Sequence, residues 1–300
     1  MNDVIAAQRT ALDALYRAHV GAGDRYALLD FPDHANVGDS AIWLGECTML
    51  RAITGREPDY VCTWHDFDEE ALRRACPDGI VFLHGGGNLG DIWPHHQRLR
   101  ETVLARMPDR RVVQLPQSIH FGDAAAAQRF GRLAASHPDL TLYARDRPSL
   151  ALAQGCVGAR AILAPDSAFA LGTQPRGAAE WPLLALLRTD AERAADQGTP
   201  PADATCVDWL DDDGPLPEAR SAQAAARVAR GLRLLSRGER IVTDRLHGHI
   251  LALLLGIPHV VLDNSYGKVG AYIDAWTAAS PLVDRAASWR EVSAAPRIAA

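Results

Sequence analysis

The sequence predicts an α/β protein made of two Rossmann-like domains in tandem, each a parallel sheet covered by helices. Three observations carry that prediction. Short unbroken runs of apolar, β-prone residues alternate with helical segments, the pattern of a parallel sheet buried on both faces. The alternation occurs in two series, separated by a glycine- and proline-rich stretch from Pro165 to Pro182. The length of 300 residues accommodates two domains of ordinary size. The boundary falls near 172/173, giving an N-terminal domain over 1–172 and a C-terminal domain over 173–300.

The elements follow in order. The opening MNDVIAAQRTALDALYRAHV reads as an amphipathic helix that leads the first domain over residues 1–22. It has no basic start followed by an apolar core and so is not a signal peptide. Tyr26–Phe31, Tyr60–Thr63, Ile80–Leu83, Val112–Leu115 and Leu140–Tyr143 read as strands. Helices are expected from Ser40 to Ile53 and near 69–76, 96–107, 123–135 and 147–154. The second series has strands at Leu183–Leu187, Thr205–Asp208, 240–243 and His259–Leu262, with helices at 219–236, from 246, and near 269–279. Asp196–Pro201 and the acidic Asp211–Pro217 read as exposed loops.

Composition excludes several function classes. An apolar share of 48% with 23% charged residues is that of a globular protein with substantial cores. The net charge of −6 leaves no basic excess to neutralise nucleic-acid phosphates. Cys47, Cys62, Cys76, Cys156 and Cys206 are scattered, with no CxxC pair, which suits reduced thiols in a cytoplasmic protein. No stretch approaches the roughly 18 apolar residues of a membrane span.

In such sheets ligands sit outside the carboxyl ends of the strands, where loops lead into helix N-termini. The loop after the first strand, Phe31–Ser40, carries Asn36, Gly38 and Asp39, with Asp39 or Ser40 placed to cap the next helix. After the third strand comes HGGGNLGD, residues 84–91. Gly85, Gly86 and Gly87 let backbone approach a ligand closely, with Asn88 beside them. The run is neither a GxGxxG fingerprint nor a P-loop, and no GxSxG elbow accompanies it as an esterase would require. Arg145 follows the strand 140–143 and precedes a helix that Asp146 can cap.

The most informative stretch is TDRLHGHILALLLGIP, from Thr243 to Pro258. Thr243 or Asp244 is placed to cap a helix whose first turn then holds Arg245 and His247. Unpaired N–H groups and the positive end of the helix dipole lie there. The guanidinium fork fits carboxylate or phosphate oxygens in pairs, and the imidazole can move a proton near neutral pH. His247 and His249 point about 200° apart on a helix and so would not share a metal ion; no metal is expected. His249 reads as a satisfied, partly buried residue. Lys268, after Asp263-Asn-Ser-Tyr-Gly, is a second candidate for an anionic group.

Taken together, NVGDSAIWLGE (36–46), HGGGNLGD (84–91), LPQSIHF (115–121), ARD (144–146), APDSAFAL (164–171), TDRLHGH (243–249) and LDNSYGK (262–268) resemble the polysaccharide pyruvyltransferases. The similarity is strongest to the bacterial exopolysaccharide-biosynthesis branch, and it spans about residues 30 to 280. It implies a fold similar to the two-domain GT-B glycosyltransferases, with the active site in the interdomain cleft. It also implies transfer of the enolpyruvyl carbons of phosphoenolpyruvate to two hydroxyls of a glycan sugar, giving a pyruvate ketal and phosphate. Phosphoenolpyruvate is then a co-substrate, with no further cofactor. The family's Arg-x-His motif falls on Arg245 and His247, and its N-domain arginine on Arg145. The binding roles of Asn36, Asp39, Gly85–Asn88 and Lys268 are inferred from placement alone.

The resemblance further implies a cytoplasmic enzyme whose acceptor is a glycan or a lipid-linked oligosaccharide. A lipid-linked acceptor would place it peripherally at the inner face of the membrane, although no basic amphipathic segment marks contact with a bilayer. Two other readings stay open at this point. One is a nucleotide-sugar glycosyltransferase, with Asp263 as a ribose contact. The other is a non-catalytic glycan-binding subunit of a polysaccharide assembly complex. The sequence leaves oligomeric state undefined.

Overall fold

The computed structural model describes residues 2–190, 192–195, 197–211 and 214–294. The chain divides into two compact units. One comprises residues 9–33 and 42–170; the other comprises 1–8, 34–41 and 171–300. The main division at 170/171 is two residues from the point read in the sequence. Two short segments read as N-terminal domain, 1–8 and 34–41, cluster instead with the C-terminal residues. They do so through side chains whose partners are remote in sequence: Tyr272 donates to Gln8 at 2.8 Å, and Val37 fills the space left by the missing side chain of Gly231.

The first unit carries β1 (Tyr26–Leu29), β2 (Tyr60–Cys62), β3 (Ile80–Leu83), β4 (Gly86–Gly90), β5 (Val112–His120), β6 (Leu140–Ala144) and β7 (Ala161–Leu163). Its helices are α1 (Asn2–Arg17, which begins in the other unit), α2 (Val37–Thr54, likewise), α3 (Glu69–Ala75), α4 (Pro94–Arg106), α5 (Ala124–Ser136) and α6 (Arg147–Val157). The sheet is parallel, in the order β2-β1-β3-β5-β6-β7, with β4 pairing β5. Strands such as Tyr26-Ala-Leu-Leu29 are buried at every residue, because helices cover both faces. Leu29, Val81, Leu83, Val112 and Leu142 form the core with Leu99, Val103 and Phe130 from the helices.

The second unit carries β8 (Trp181–Leu186), β9 (Thr205–Val207), β10 (Gly238–Thr243), β11 (His259–Val261) and β12 (Val283–Arg285). Its helices are α7 (Arg220–Ser236), α8 (Leu246–Leu254), α9 (Lys268–Trp276) and α10 (Trp289–Ala294). Its sheet is also parallel, in the order β12-β11-β10-β8-β9. The protein is therefore α/β with two parallel, Rossmann-like sheets.

Each sheet reverses its direction of winding once, between β1 and β3 and between β8 and β10. Those two switch points are where open α/β sheets leave a crevice. The loops beside the first are 30–36 and 84–85; beside the second they are 187–190 and 244–245. Asp196 and part of the acidic loop expected over 211–217 lie outside the described residues. Among the described residues, no helix is long and apolar enough to cross a membrane, and no group of three His, Cys, Asp or Glu is placed to hold a metal ion.

Candidate active site

The second switch point holds the Arg-x-His pair. Leu246 opens α8, so Arg245 is its N-cap residue rather than part of its first turn, and His247 is the second helical residue. Neither Thr243 nor Asp244 caps the helix through N2 or N3. The Thr243 hydroxyl instead accepts from Arg245 N at 3.1 Å and donates to Leu186 O at 2.8 Å, joining β8, β10 and the turn. Gly248 is needed for that arrangement, since a methyl there would lie 3.0 Å from Thr243 Cβ. Every residue of α8 is buried, which fixes its entrance rigidly.

Arg245 is 2% exposed, and its fork is not presented to an open rim as the sequence suggested. Nη2 donates to both Asp208 oxygens at 2.9 and 2.7 Å, and Nη1 lies 3.7 Å from Asp190. A buried guanidinium left without a counter-ion would cost several kcal/mol, about 3–5 by the behaviour of broken buried pairs. Asp208 and Asp190 therefore set the direction of the fork, while Nε has no hydrogen-bond partner among the described residues. Beside Asp208 runs an open groove of ≈ 610 Å³, lined by Val37, Asp208, Trp209, Arg230 and Arg233 among others; neither Arg245 nor His247 lines it.

Asp244 is wholly buried and accepts from Arg188 N at 2.8 Å. Burial raises its carboxyl to about 6, against the opposing pull of that hydrogen bond and of Arg188 and Arg245. Arg188 in turn pairs with Asp190 and Glu192.

His247 explains the NVGD motif. Gly38 is helical, without a left-handed φ, so its backbone does not demand glycine. A methyl at Gly38 would instead lie 2.7 Å from His247 Cβ, and closer still to Cγ and Nδ1 of the ring. The imidazole thus rests on bare backbone at the start of α2. Asn36 holds that backbone: its Oδ1 accepts from Gly38 N at 3.0 Å and its Nδ2 donates to Asp39 at 2.9 Å. Asn36 and Asp39, inferred as ligand contacts, therefore also shape the helix start against which His247 lies.

Lys268 departs from expectation. It is 7% exposed and its ammonium pairs with Glu192, so its charge neutralises a buried carboxylate rather than standing at a rim. His249 is wholly buried, deeper than the partial burial read from the sequence. Its tautomer follows from its neighbours. His259 Nδ1 must donate to Ile257 O at 2.8 Å, so Nε2 accepts from His249 Nδ1 at 2.8 Å, and His249 Nε2 accepts from Thr277 at 2.9 Å. Burial holds His249 well below the usual histidine range and His259 at about 4, so both rings are neutral.

In the first unit Arg145 is 1% exposed. It donates to Asp166 at 2.6 Å and to Ser118 at 2.9 Å. Asp146 caps α6, as expected, by accepting from Ser149 N at 2.8 Å. The glycine loop is used differently from the expectation. Gly85 N donates to Glu46 at 2.8 Å, and Glu46 Oε2 meets His84 Nδ1 at 2.7 Å. Burial raises the Glu46 carboxyl, with His84 and Gly85 opposing. A methyl on Gly85 would meet Pro116 O at 2.8 Å, and Gly86 has φ of 123°. These two glycines are thus required by the chain's own packing as β4 continues beyond β3. Asn88 Oδ1 accepts from Arg100 and Gln117, both at 2.9 Å, so its carbonyl is occupied within the protein. The sequence reading missed Asp208, Asp190, Glu192, Asp166 and Glu46, the carboxylates that hold these groups.

The profile of the polysaccharide pyruvyl transferase family matches residues 36–266, most of the chain and every motif residue just placed except Lys268. The chain belongs to that family. Pyruvyl transferase 1 of Schizosaccharomyces pombe is 32% identical over 302 residues, covering 91% of this chain and 74% of the relative. A Bacillus subtilis protein assigned to the pyruvyl transferases by name, EpsO, is 31% identical over 281 residues, covering 84% and 85%. The crystal structure of an uncharacterized Klebsiella pneumoniae protein shares the fold, with a TM-score of 0.62 at 18% identity, over 94% of this chain and 99% of that one. As a member of the pyruvyl transferase family, the protein is a transferase with a polysaccharide acceptor.

Proposed function

We propose that the protein transfers the enolpyruvyl group of phosphoenolpyruvate to two hydroxyls of one sugar, closing a pyruvate ketal and releasing phosphate, in exopolysaccharide synthesis. The observation that carries the reading is the imidazole of His247 at the N-terminus of α8, seated on Gly38 and beside the carboxylate-aimed fork of Arg245. The reaction needs a proton on the enol carbon, which becomes the ketal methyl. It then needs two hydroxyl oxygens bonded to the neighbouring carbon and loss of the phosphate from it. One hydroxyl proton balances the new methyl and the other leaves with phosphate. His247 is assigned the acid/base role. Arg245 and Arg145 are assigned to the donor's carboxylate and phosphate, with charge-assisted hydrogen bonds. Asp208 and Asp190 keep the Arg245 fork in one direction while it shares its charge.

Phosphate release from phosphoenolpyruvate with a panel of galactosides, glucosides and mannosides, with NMR detection of the ketal methyl, tests the reading. His247→Ala should abolish turnover and leave donor affinity largely intact; wild-type rates in that variant would remove the histidine from the mechanism.

A further inference from the structure

The glycine loop ends in an amide whose direction is fixed by its neighbours. β4 pairs β5 at Gly86 and again at Leu89, with a shift of register between them, so Asn88 stands at a bulge. Bulges re-aim a side chain out of the regular alternation of a strand. Here the Asn88 backbone N–H donates to Gln117 Oε1 at 3.2 Å, and Oδ1 accepts from Gln117 Nε2 and from Arg100 Nη2, both at 2.9 Å. Turning the amide over would set Nδ2 against two donors, so Oδ1 faces that pair and Nδ2 faces away from it. Gln117 is fixed in the same way, because its Nε2 also donates to His84 O at 2.9 Å. Among the described residues Nδ2 has no hydrogen-bond partner, and Asn88 is only half-buried.

Arg100 puts a charge behind that amide. It is 2% exposed and pairs with no carboxylate among the described residues. Nε donates to Gln114 at 2.6 Å, and Nη1 reaches Gln97, His96 O and Asn88 O at 3.3, 3.4 and 3.5 Å. All of these acceptors are neutral. Asp30 and Glu101 act on the guanidinium from beyond ion-pair distance: Asp30 is bonded to His96 Nδ1, and Glu101 accepts from Gln97. Burial lowers Arg100 to about 10 against the pull of those two carboxylates, so it stays protonated at neutral pH. A buried cation held only by neutral groups is costly to the fold. In a low-dielectric interior its charge polarises the amide it touches, which makes Nδ2 the stronger donor.

We propose that Asn88 Nδ2, backed by Arg100, donates to an anionic oxygen of phosphoenolpyruvate, with Arg100 as the residue that positions and polarises the amide. The proposal deepens the transfer reading above and rests on it for the identity of the ligand. It follows from what the amide offers: N–H donors, an Oδ1 already accepting two bonds, and a positive charge behind them. A carboxylate or phosphate oxygen accepts only, and gains from the charge. A sugar hydroxyl both donates and accepts, and Asn88 has no acceptor left for it. Phosphoenolpyruvate carries both kinds of anionic oxygen, which separate probes tell apart.

The chain has four asparagines, Asn2, Asn36, Asn88 and Asn264. Protein made with asparagine carrying the heavy nitrogen isotope therefore gives four side-chain amide signals in NMR, and the one lost in Asn88→Asp is that of Asn88. That signal should shift on adding phosphoenolpyruvate, and on adding whichever of orthophosphate or pyruvate carries the oxygen it meets. No shift with any of the three, or a shift with methyl galactopyranoside alone, overturns the contact. Ketal formation with the sugar panel is read separately. Its failure where phosphoenolpyruvate still shifts the Asn88 signal would sink the transfer reading and leave the anion contact standing.

Asn88→Asp sets a carboxylate against Arg100 and Gln117, so Tm should hold or rise. The donor KM should nonetheless rise at least about tenfold, because an acceptor then stands where Nδ2 donated. An unchanged donor KM in that folded variant overturns the proposal. Arg100→Met should raise the donor KM about tenfold at unchanged kcat. In an Asn88→Ala background the same change should add nothing, because its effect passes through the amide. Losses that add in the double variant would make Arg100 a scaffold residue and overturn its role.

Discussion

Gly38→Ala is the sharpest test of the assigned acid/base residue, because it alters no catalytic side chain chemically and changes only where His247 sits. The added methyl would lie 2.7 Å from His247 Cβ, where unstrained contacts begin near 3.4 Å. The ring or the start of α2 must therefore give way by about 1 Å, the distance over which misplaced groups lose about 100-fold in rate. That is about 2.7 kcal/mol at the transition state. Stability should move little, since alanine favours a helix over glycine by about 0.5–1 kcal/mol, which offsets part of the clash. The expected result is a folded protein with an unchanged melting temperature and a kcat for phosphate release down about 100-fold. A kcat within twofold of wild type in a folded Gly38→Ala protein would refute the reasoning, because the reaction would then not depend on where His247 sits.

Arg245→Lys keeps a positive charge beside Asp208 but loses the planar fork, so kcat/KM for phosphoenolpyruvate should fall at least about tenfold; steady-state kinetics checks this. Asp166→Asn leaves the buried Arg145 guanidinium without its counter-ion and should destabilise the protein by about 3–5 kcal/mol in urea titrations. Asp244 has a folded value of about 6, above the ordinary 3.8, so its contribution to stability declines as pH rises from about 4 to 6. Above that window the buried charge costs up to about 3 kcal/mol. Asp244→Asn should therefore be the more stable protein at pH 8, with the difference vanishing near pH 4, and equal urea midpoints at pH 8 would contradict it. His259 has the opposite sign. Its folded value is about 4, below the ordinary 6.5, so its contribution is intact above pH 6.5 and is lost as pH falls towards 4. Urea midpoints of wild type should drop across that window, and His259→Gln should flatten the slope.

The fold was legible where apolar runs are continuous. Tyr26-Ala-Leu-Leu29, Ile80-Val-Phe-Leu83 and Leu183–Leu186 announce buried parallel strands because each side chain faces a helix layer. Gly86–Gly90 announces nothing of the kind: three glycines carry no β-propensity, and the segment becomes β4 because β5 continues past Pro116 to His120 and offers it an edge. Short outer strands such as Val283–Arg285 are set by pairing with β11 and carry no apolar signature. The same division holds at the site. Arg245 and His247 stand out because they interrupt an apolar helix entrance. Their restraints do not: Asp208 is 37 residues from Arg245 and ordinary in its own context, and the purpose of Gly38 emerges only when an imidazole is placed against it. Lys268 shows the converse error, a cation read as available whose counter-charge, Glu192, lies 76 residues away.

The assignment of residues 34–41 to the C-terminal unit has a consequence for biosynthesis. During translation this octapeptide emerges early, yet the helix entrance it supports is encoded some two hundred residues later. A chain halted at residue 170 would expose Val37 and Gly38 without their packing mates, and a polypeptide starting at 171 would lack the seat for its own imidazole. The gene is therefore a poor candidate for fission at its domain junction: the C-terminal half made alone would lack residues 1–8 and 34–41, which belong to its own compact unit.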